Sequence, residues 1–215
     1  MGIVLIYFFG DSHTAGMGKM GDYTNIPYSV HLAKLMNLDY EMHAECGLAL
    51  NLSVDRLIYN LDKIKKGDFV LFQFQTLFNC RYRFNKTNER FNWKETDGMD
   101  NLSLKDKNLI LDFYSKFVDA ISMEEVDRVY LIFDYLTKRG VKCNILYWCN
   151  MDYYIDSEYN LLLDEEKYVQ SYYENNIKDI PKFISDETDI DDKHLSNPMN
   201  KVIAGKIYET NYKTN

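Results

Sequence analysis

Apolar residues in this chain fall into short continuous runs and into stretches with helical spacing, and the two patterns alternate along the sequence. The apolar run over residues 3–9 predicts a strand buried on both faces, and residues 38–43, 69–74 and 143–148 predict three more strands. Apolar residues at helical spacing predict helices over residues 27–36 and 53–64. Further helices are predicted over residues 164–175 and 198–212, with a short strand over residues 182–185.

Two capping boxes predict a pair of helices between residues 103 and 139. Ser103 is followed by Asp106, and Ser122 by Glu125, at the spacing that lets a side chain return to the backbone of the cap residue. Gly140 follows as a helix stop signal. We therefore expect one helix to end before Ser122 and a second one to begin there.

The alternation of strands and helices predicts a mostly parallel sheet of about five strands with helices on both faces. The expected fold class is α/β, a three-layer α/β/α sandwich, built as a single domain over residues 1–215. Residues 79–101 and 150–163 break the alternation, and we expect them to form loop insertions over the strand ends. Sites in such sheets lie beyond the carboxyl ends of the strands, where Ser12, Gln75 and Asn150 would emerge.

The charge balance restricts the class of partner. The 215 residues include 25 Lys and Arg against 33 Asp and Glu, a net charge of −8, which argues against nucleic acid or an anionic membrane as partner. Residues 3–9 are too few to cross a bilayer and lack a basic leader, so we expect neither a signal peptide nor membrane insertion. The four cysteines match no zinc or redox spacing, and we expect reduced thiols in a cytoplasmic protein.

The candidate chemistry joins the two ends of the chain. Ser12 follows the first predicted strand in a tight turn, and a serine becomes a nucleophile when an imidazole takes its proton. His194 is the candidate base, and Asp191, three residues earlier, is the carboxylate that would fix its tautomer, with Asp189 and Asp192 as alternatives. The competing interpretations are a simple turn or helix cap at Ser12 and a solvated loop at His194.

The order of these motifs resembles that of the SGNH hydrolases, also called the GDSL esterase and lipase superfamily. The run Gly10-Asp11-Ser12 matches the first block of that family, Gly47 matches the glycine of its second block, and Asp191 with His194 match its last block. The resemblance implies a flavodoxin-like fold and a serine esterase with Ser12, His194 and Asp191 as catalytic triad.

The same resemblance implies an oxyanion hole, with one departure from the family pattern. The backbone N–H groups of Ser12 and Gly47 would donate to the oxyanion. The asparagine of the third family block is absent, since this chain has Gln73-Phe74-Gln75-Thr76 there. Gln75 carries the same amide on a longer side chain and Asn79 is the second choice, so either residue would complete the hole.

Aromatic and basic residues indicate the class of substrate. Aromatic residues that can stack on sugar rings, next to arginines, favour a saccharide over a lipid as substrate. The alternative is that this segment is a lid whose aromatic residues pack against one another. The candidate substrate-binding residues are Arg81, Tyr82, Arg83, Trp93 and Trp148.

The sequence therefore predicts an esterase that hydrolyses an acyl ester, acetyl in particular, on a saccharide or another acylated small molecule. No metal or organic cofactor is required for this chemistry. Two alternatives of the same fold stay open. One is a catalytically weak or inactive glycan-binding or assembly protein, in a polysaccharide system or on a phage particle. The other is an acyltransferase.

Overall fold

The computed structural model describes residues 3–16, 26–45, 48, 50–74, 81–83, 90–92, 104–146, 158–159 and 197–213. The strands are β1 Leu5–Phe9, β2 Asp39–Met42, β3 Phe69–Gln73, β4 Arg81–Arg83, β5 Arg90–Asn92 and β6 Lys142–Leu146. The helices are α1 Ser12–Ala15, α2 Tyr28–Met36, α3 Leu50–Asn60, α4 Leu104–Lys138 and α5 Asn197–Asn211.

Four of the strands form one parallel sheet in the order β2-β1-β3-β6. Leu5 is aligned with Asp39 of β2, Ile6 with Phe69 of β3, and Phe69 with Lys142 of β6. The class predicted from the alternating pattern, α/β with a mainly parallel sheet, is therefore confirmed. The described part of the main sheet contains four strands.

Both faces of the sheet are buried under helices. Residues of β1 alternate between two apolar clusters, because successive side chains in a strand point to opposite faces. One cluster joins the sheet to α3 and α4 and includes Tyr7, Phe9, Val54, Leu57, Val70, Phe72, Val129 and Phe133. The other joins the sheet to α2 and α5 and includes Ile6, Phe8, Tyr28, Leu32, Leu71, Leu146, Met199 and Ile203.

Helix α4 corrects the prediction of two helices, because it runs for 35 residues through Ser122 without a break. The carboxylate of Glu125 does not serve as a cap. It is buried and accepts hydrogen bonds of 2.9 and 2.7 Å from Nη1 of Arg128, one turn further on. The apolar side chains Val126, Val129 and Phe133 continue the helical spacing and are fully buried, so packing on the sheet favours a continuous helix.

The prediction of a loop over residues 79–101 also needs correction, because this segment contains β4 and β5. These two strands pair antiparallel, with Tyr82 opposite Phe91. Each strand places an aromatic residue between two polar ones, an alternation of period two that predicts a strand. The predicted helix over residues 164–175, the predicted strand over residues 182–185 and most of the predicted insertion over residues 150–163 lie outside the described residues.

Other element boundaries differ little from the predictions, except at α3, which spans Leu50–Asn60 rather than residues 53–64. Cys143 of β6 is a buried free thiol, and burial raises its pKa to about 12. Within the described ranges, no helix has both the length and the apolar character needed to cross a bilayer.

A proline at position 123 distinguishes one helix from two. Met123→Pro should lower the free energy of unfolding by about 3 kcal/mol or more, because proline inside a helix removes a hydrogen bond and clashes with the preceding turn. At the first position of a new helix the same proline would be tolerated. Urea unfolding measures the difference, with Met123→Ala as the control. Equal stability of the two variants would contradict a continuous α4.

Candidate functional site

The candidate site begins where β1 ends, at the carboxyl edge of the parallel sheet. Phe9 is the last residue of β1, and Ser12 is the first residue of the four-residue helix α1. Asp11 is the N-cap of this helix, and its carboxylate accepts a 2.9 Å hydrogen bond from the backbone N–H of His13. This cap satisfies one of the free N–H groups at the helix start and fixes the turn that presents Ser12.

This turn requires a glycine at position 10 because two side chains lie very close to its backbone. Its φ is +154°, and a Cβ at this position would lie 2.6 Å from Oγ1 of Thr14 and 2.9 Å from Oε1 of Gln73. Neither atom belongs to a flexible exposed side chain, because Thr14 and Gln73 are both fully buried. The glycine therefore lets the backbone of the turn lie directly against two polar side chains.

Those two side chains belong to a buried polar network beneath Ser12. The amide of Gln73, at the end of β3, donates from Nε2 to Oδ1 of Asp11 at 3.1 Å and accepts a hydrogen bond from Oγ1 of Thr14. Oγ1 of Thr14 also lies 2.8 Å from the hydroxyl of Tyr28 on α2. Burial raises the pKa of Tyr28, so its hydroxyl stays protonated. The network joins β3, the turn and α2.

Two serine hydroxyls hold the backbone of the same turn. Oγ of Ser29 on α2 donates to the carbonyl of Thr14 at 2.7 Å, and Oγ of Ser53 on α3 donates to the carbonyl of Gly10 at 3.4 Å. Both serines are fully buried. The turn is thus fixed from both helical layers as well as from the sheet.

Ser12 itself is partly exposed, as is Asp11. Within the described residues, neither its hydroxyl nor its backbone N–H has a hydrogen-bond partner. The following N–H groups are used, since His13 donates to the carboxylate of Asp11 and Thr14 donates to its carbonyl. A hydroxyl and an adjacent N–H group are therefore both available at the end of β1.

His43, beyond the end of β2, has a structural role. Its ring stacks on Phe9 with centroids 5.0 Å apart and on Tyr7 with centroids 6.1 Å apart. Nε2 lies 3.2 Å from Oε2 of Glu41. Burial lowers the pKa of His43 although Glu41 raises it, so the stacked ring favours the neutral form.

The structure describes only part of the predicted site. Ser12 is placed as expected, and Arg81, Tyr82 and Arg83 form β4 rather than a loop. The predicted residues outside the described ranges are Gly47, Gln75, Asn79, Trp93, Trp148, Asp191 and His194. Their roles stay predictions.

Sequence reasoning missed the buried network. The signal was present at Gln73, a glutamine that ends an apolar strand expected to be buried on both faces. A buried amide has to be hydrogen-bonded, and its partners lie within reach of the strand end. Nothing in the sequence identifies Asp11 and Thr14 as those partners, because they come from the turn after another strand.

No family model matches this chain, and a search of curated proteins found no significantly similar sequence. Among the described residues, no group of three or more His, Cys, Asp or Glu side chains could hold a metal ion.

Replacing the hydroxyl of Thr14 tests the network. Thr14→Val keeps the shape but removes one hydrogen-bond partner from Gln73 and one from Tyr28, and it should lower the free energy of unfolding by about 1 to 3 kcal/mol. Thr14→Ser keeps the hydroxyl and should be closer to the parent protein in urea unfolding. A valine variant as stable as the parent protein would show that these hydrogen bonds contribute nothing.

Proposed function

We propose that this protein is a serine esterase with the SGNH fold, a flavodoxin-like arrangement in which Ser12 is the nucleophile. The observation that carries the proposal is the pair of available groups at Ser12, a hydroxyl and its own backbone N–H, at the end of a central strand. Acyl transfer needs these two groups side by side, one to attack the carbonyl and one to receive the charge that develops on its oxygen.

The rigid support of Ser12 also favours a catalytic role. Effective nucleophiles are held in place by surrounding structure, because a displacement of about 1 Å can cost two orders of magnitude in rate. Gln73 from the sheet and Ser53 from α3 both hold the turn that carries Ser12. A turn that only connected a strand to a helix would not need a buried amide between two polar side chains.

The mechanism follows from the roles of each group. His194 takes the proton of the Ser12 hydroxyl as Oγ forms a bond to the acyl carbon, and Asp191 holds the imidazole in the required tautomer. The tetrahedral oxyanion accepts hydrogen bonds from the N–H groups of Ser12 and Gly47. The side-chain amide of Gln75 or Asn79 completes the hole.

The second half of the reaction returns the enzyme to its starting state. The tetrahedral intermediate collapses as the bond between the acyl carbon and the leaving oxygen breaks, and His194 donates its proton to the departing alcohol. Water then attacks the acyl-enzyme, giving up a proton to His194, and the carboxylic acid leaves as Ser12 recovers its hydrogen.

The proposed substrate is an acetyl ester on a saccharide. Arg81, Tyr82 and Arg83 follow β3 and so belong to the chain segment that leaves the carboxyl edge of the sheet, and β4 lies in contact with α3. Trp93 and Trp148 would add stacking surfaces for sugar rings. A neutral acetylated sugar suits a protein of net charge −8, which repels anionic polymers.

The serine is tested directly by Ser12→Ala. Hydrolysis of 4-nitrophenyl acetate should fall by about 10³-fold or more, because no other group in the site replaces the nucleophile. The free energy of unfolding should change by less than about 0.5 kcal/mol, since the hydroxyl has no partner among the described residues. Equal rates for the two proteins would refute the proposal.

The base and its carboxylate are tested by His194→Gln and Asp191→Asn. The first should lower kcat by about 10³-fold or more, and the second by roughly 10² to 10⁴-fold, with little change in KM. Asp192→Asn is the matched comparison, and its loss should be smaller than that of Asp191→Asn. A histidine variant with unchanged kcat would exclude His194 as the base.

A further inference from the structure

An open groove of about 310 Å³ lies between α2 and α5, on the helical layer away from α3 and α4. Its walls include His31, Lys34 and Leu35 from α2, with Lys201 and Gly205 from α5. The spacing of three or four residues on each helix places these side chains on the two facing surfaces. Three of the five residues are basic.

The two helices that form the groove are held together at their starts. The N-terminal turn of α2 has no side-chain cap of its own. Instead, the side chain of Asn200 accepts a 3.0 Å hydrogen bond from the backbone N–H of Tyr28, and that of Asn197 accepts one of 3.2 Å from Ile26. The buried apolar residues Leu32 and Ile203 continue the contact. The basic side chains are therefore brought together by the fold itself.

These three basic groups have no counter-ion within the part of the chain that the structure describes. Lys206 pairs with Glu209 on the same helix, but no such pair involves His31, Lys34 or Lys201. Burial lowers the pKa of His31, and the positive charges of Lys201 and Lys34 lower it further. The side chains of Lys34 and Lys201 are exposed, so an anion can reach their charges from solvent.

Gly205 lines the groove without adding a side chain to it. Glycine inside a helix costs about 1 kcal/mol relative to alanine, so its presence in α5 calls for a reason. Packing does not supply one, because a Cβ at this position would have no atom within 4 Å. A side chain longer than alanine would instead extend into the space between the two helices.

We propose that this groove is an anion site that binds the phosphate group of a small phosphomonoester. Lysines act as compact charges suited to a phosphate, and two of them balance the roughly two charges that a phosphomonoester carries at neutral pH. The volume leaves room for a small organic group beyond the phosphate. The site lies apart from Ser12 and stands on its own whether or not the protein is an esterase.

Binding is measured by calorimetry on the full chain with glycerol phosphate and inorganic phosphate, at constant ionic strength in chloride. Both anions should bind, and the double variant Lys34→Ala/Lys201→Ala should weaken binding by about tenfold or more. Lys138→Ala removes an exposed lysine from α4 on the other face of the sheet and should leave the affinity unchanged. Absence of binding to the parent protein, or binding of inorganic phosphate alone, would overturn the proposal.

Position 205 gives a second pair of variants. Gly205→Glu places a carboxylate in the groove and should abolish phosphate binding while making the protein more resistant to urea. Gly205→Ala should be more stable than the parent and retain binding, because its Cβ does not fill the groove. Unchanged phosphate affinity in the glutamate variant, if it is folded, would overturn the proposal.

His31 provides a local readout of the bound anion. Lys34 on its own helix and Lys201 on α5 are the charged groups that face it. An anion between them should raise the pKa of the His31 ring, measured by NMR titration in sulfate, whose charge stays constant across this pH range. The His43 ring, held by Glu41, reports any general effect of salt. A His31 pKa that is the same in sulfate as in chloride would overturn the proposal.

Discussion

The hydrogen bonds of the Gln73 amide are the constraint on which the candidate site depends. They join the end of one central strand to the turn that follows the other, through Asp11 on one side and Thr14 on the other. Both amide atoms are used, and the side chain is fully buried. Because an unsatisfied buried amide would cost about 1 to 3 kcal/mol, the turn cannot move away from β3 without a penalty of that size. The position of Ser12 follows from this link.

The sheet explains why the polar groups gather at this place. Every residue of β1 beyond Leu5 is buried, with Tyr7 and Phe9 facing one helical layer and Ile6 and Phe8 facing the other. Because neither face of this strand is exposed to solvent, a polar site can form only after its last residue. The network extends further, since the hydroxyl of Tyr28 bonds Thr14 and the backbone N–H of Tyr28 donates to Oδ1 of Asn200. Helix α5 therefore supports the turn through α2.

The sequence was sufficient for features that depend on local apolar pattern. The four strands of the main sheet and the helices α2 and α5 lie close to their predicted positions. The capping box at Ser122 led to a wrong prediction, because Glu125 can pair with Arg128 just as well as cap a helix. Burial of the surrounding helix face decides between these two roles. The network around Gln73 could not be predicted, because its partners are 59 and 62 residues away in the chain. Ser12 and the role of its N–H group were predicted from the motifs, whereas coordinates were needed to show that this N–H group has no partner among the described residues.

A crystal structure of the protein after reaction with a fluorophosphonate tests most directly whether Ser12 and His194 belong to one catalytic site. We expect phosphorus bonded to Oγ of Ser12, with a phosphonyl oxygen about 3 Å from the Ser12 N–H and the His194 ring within hydrogen-bond distance of the adduct. An unmodified Ser12, or an adduct with His194 far from it, would show that the two ends of the chain do not form one catalytic site.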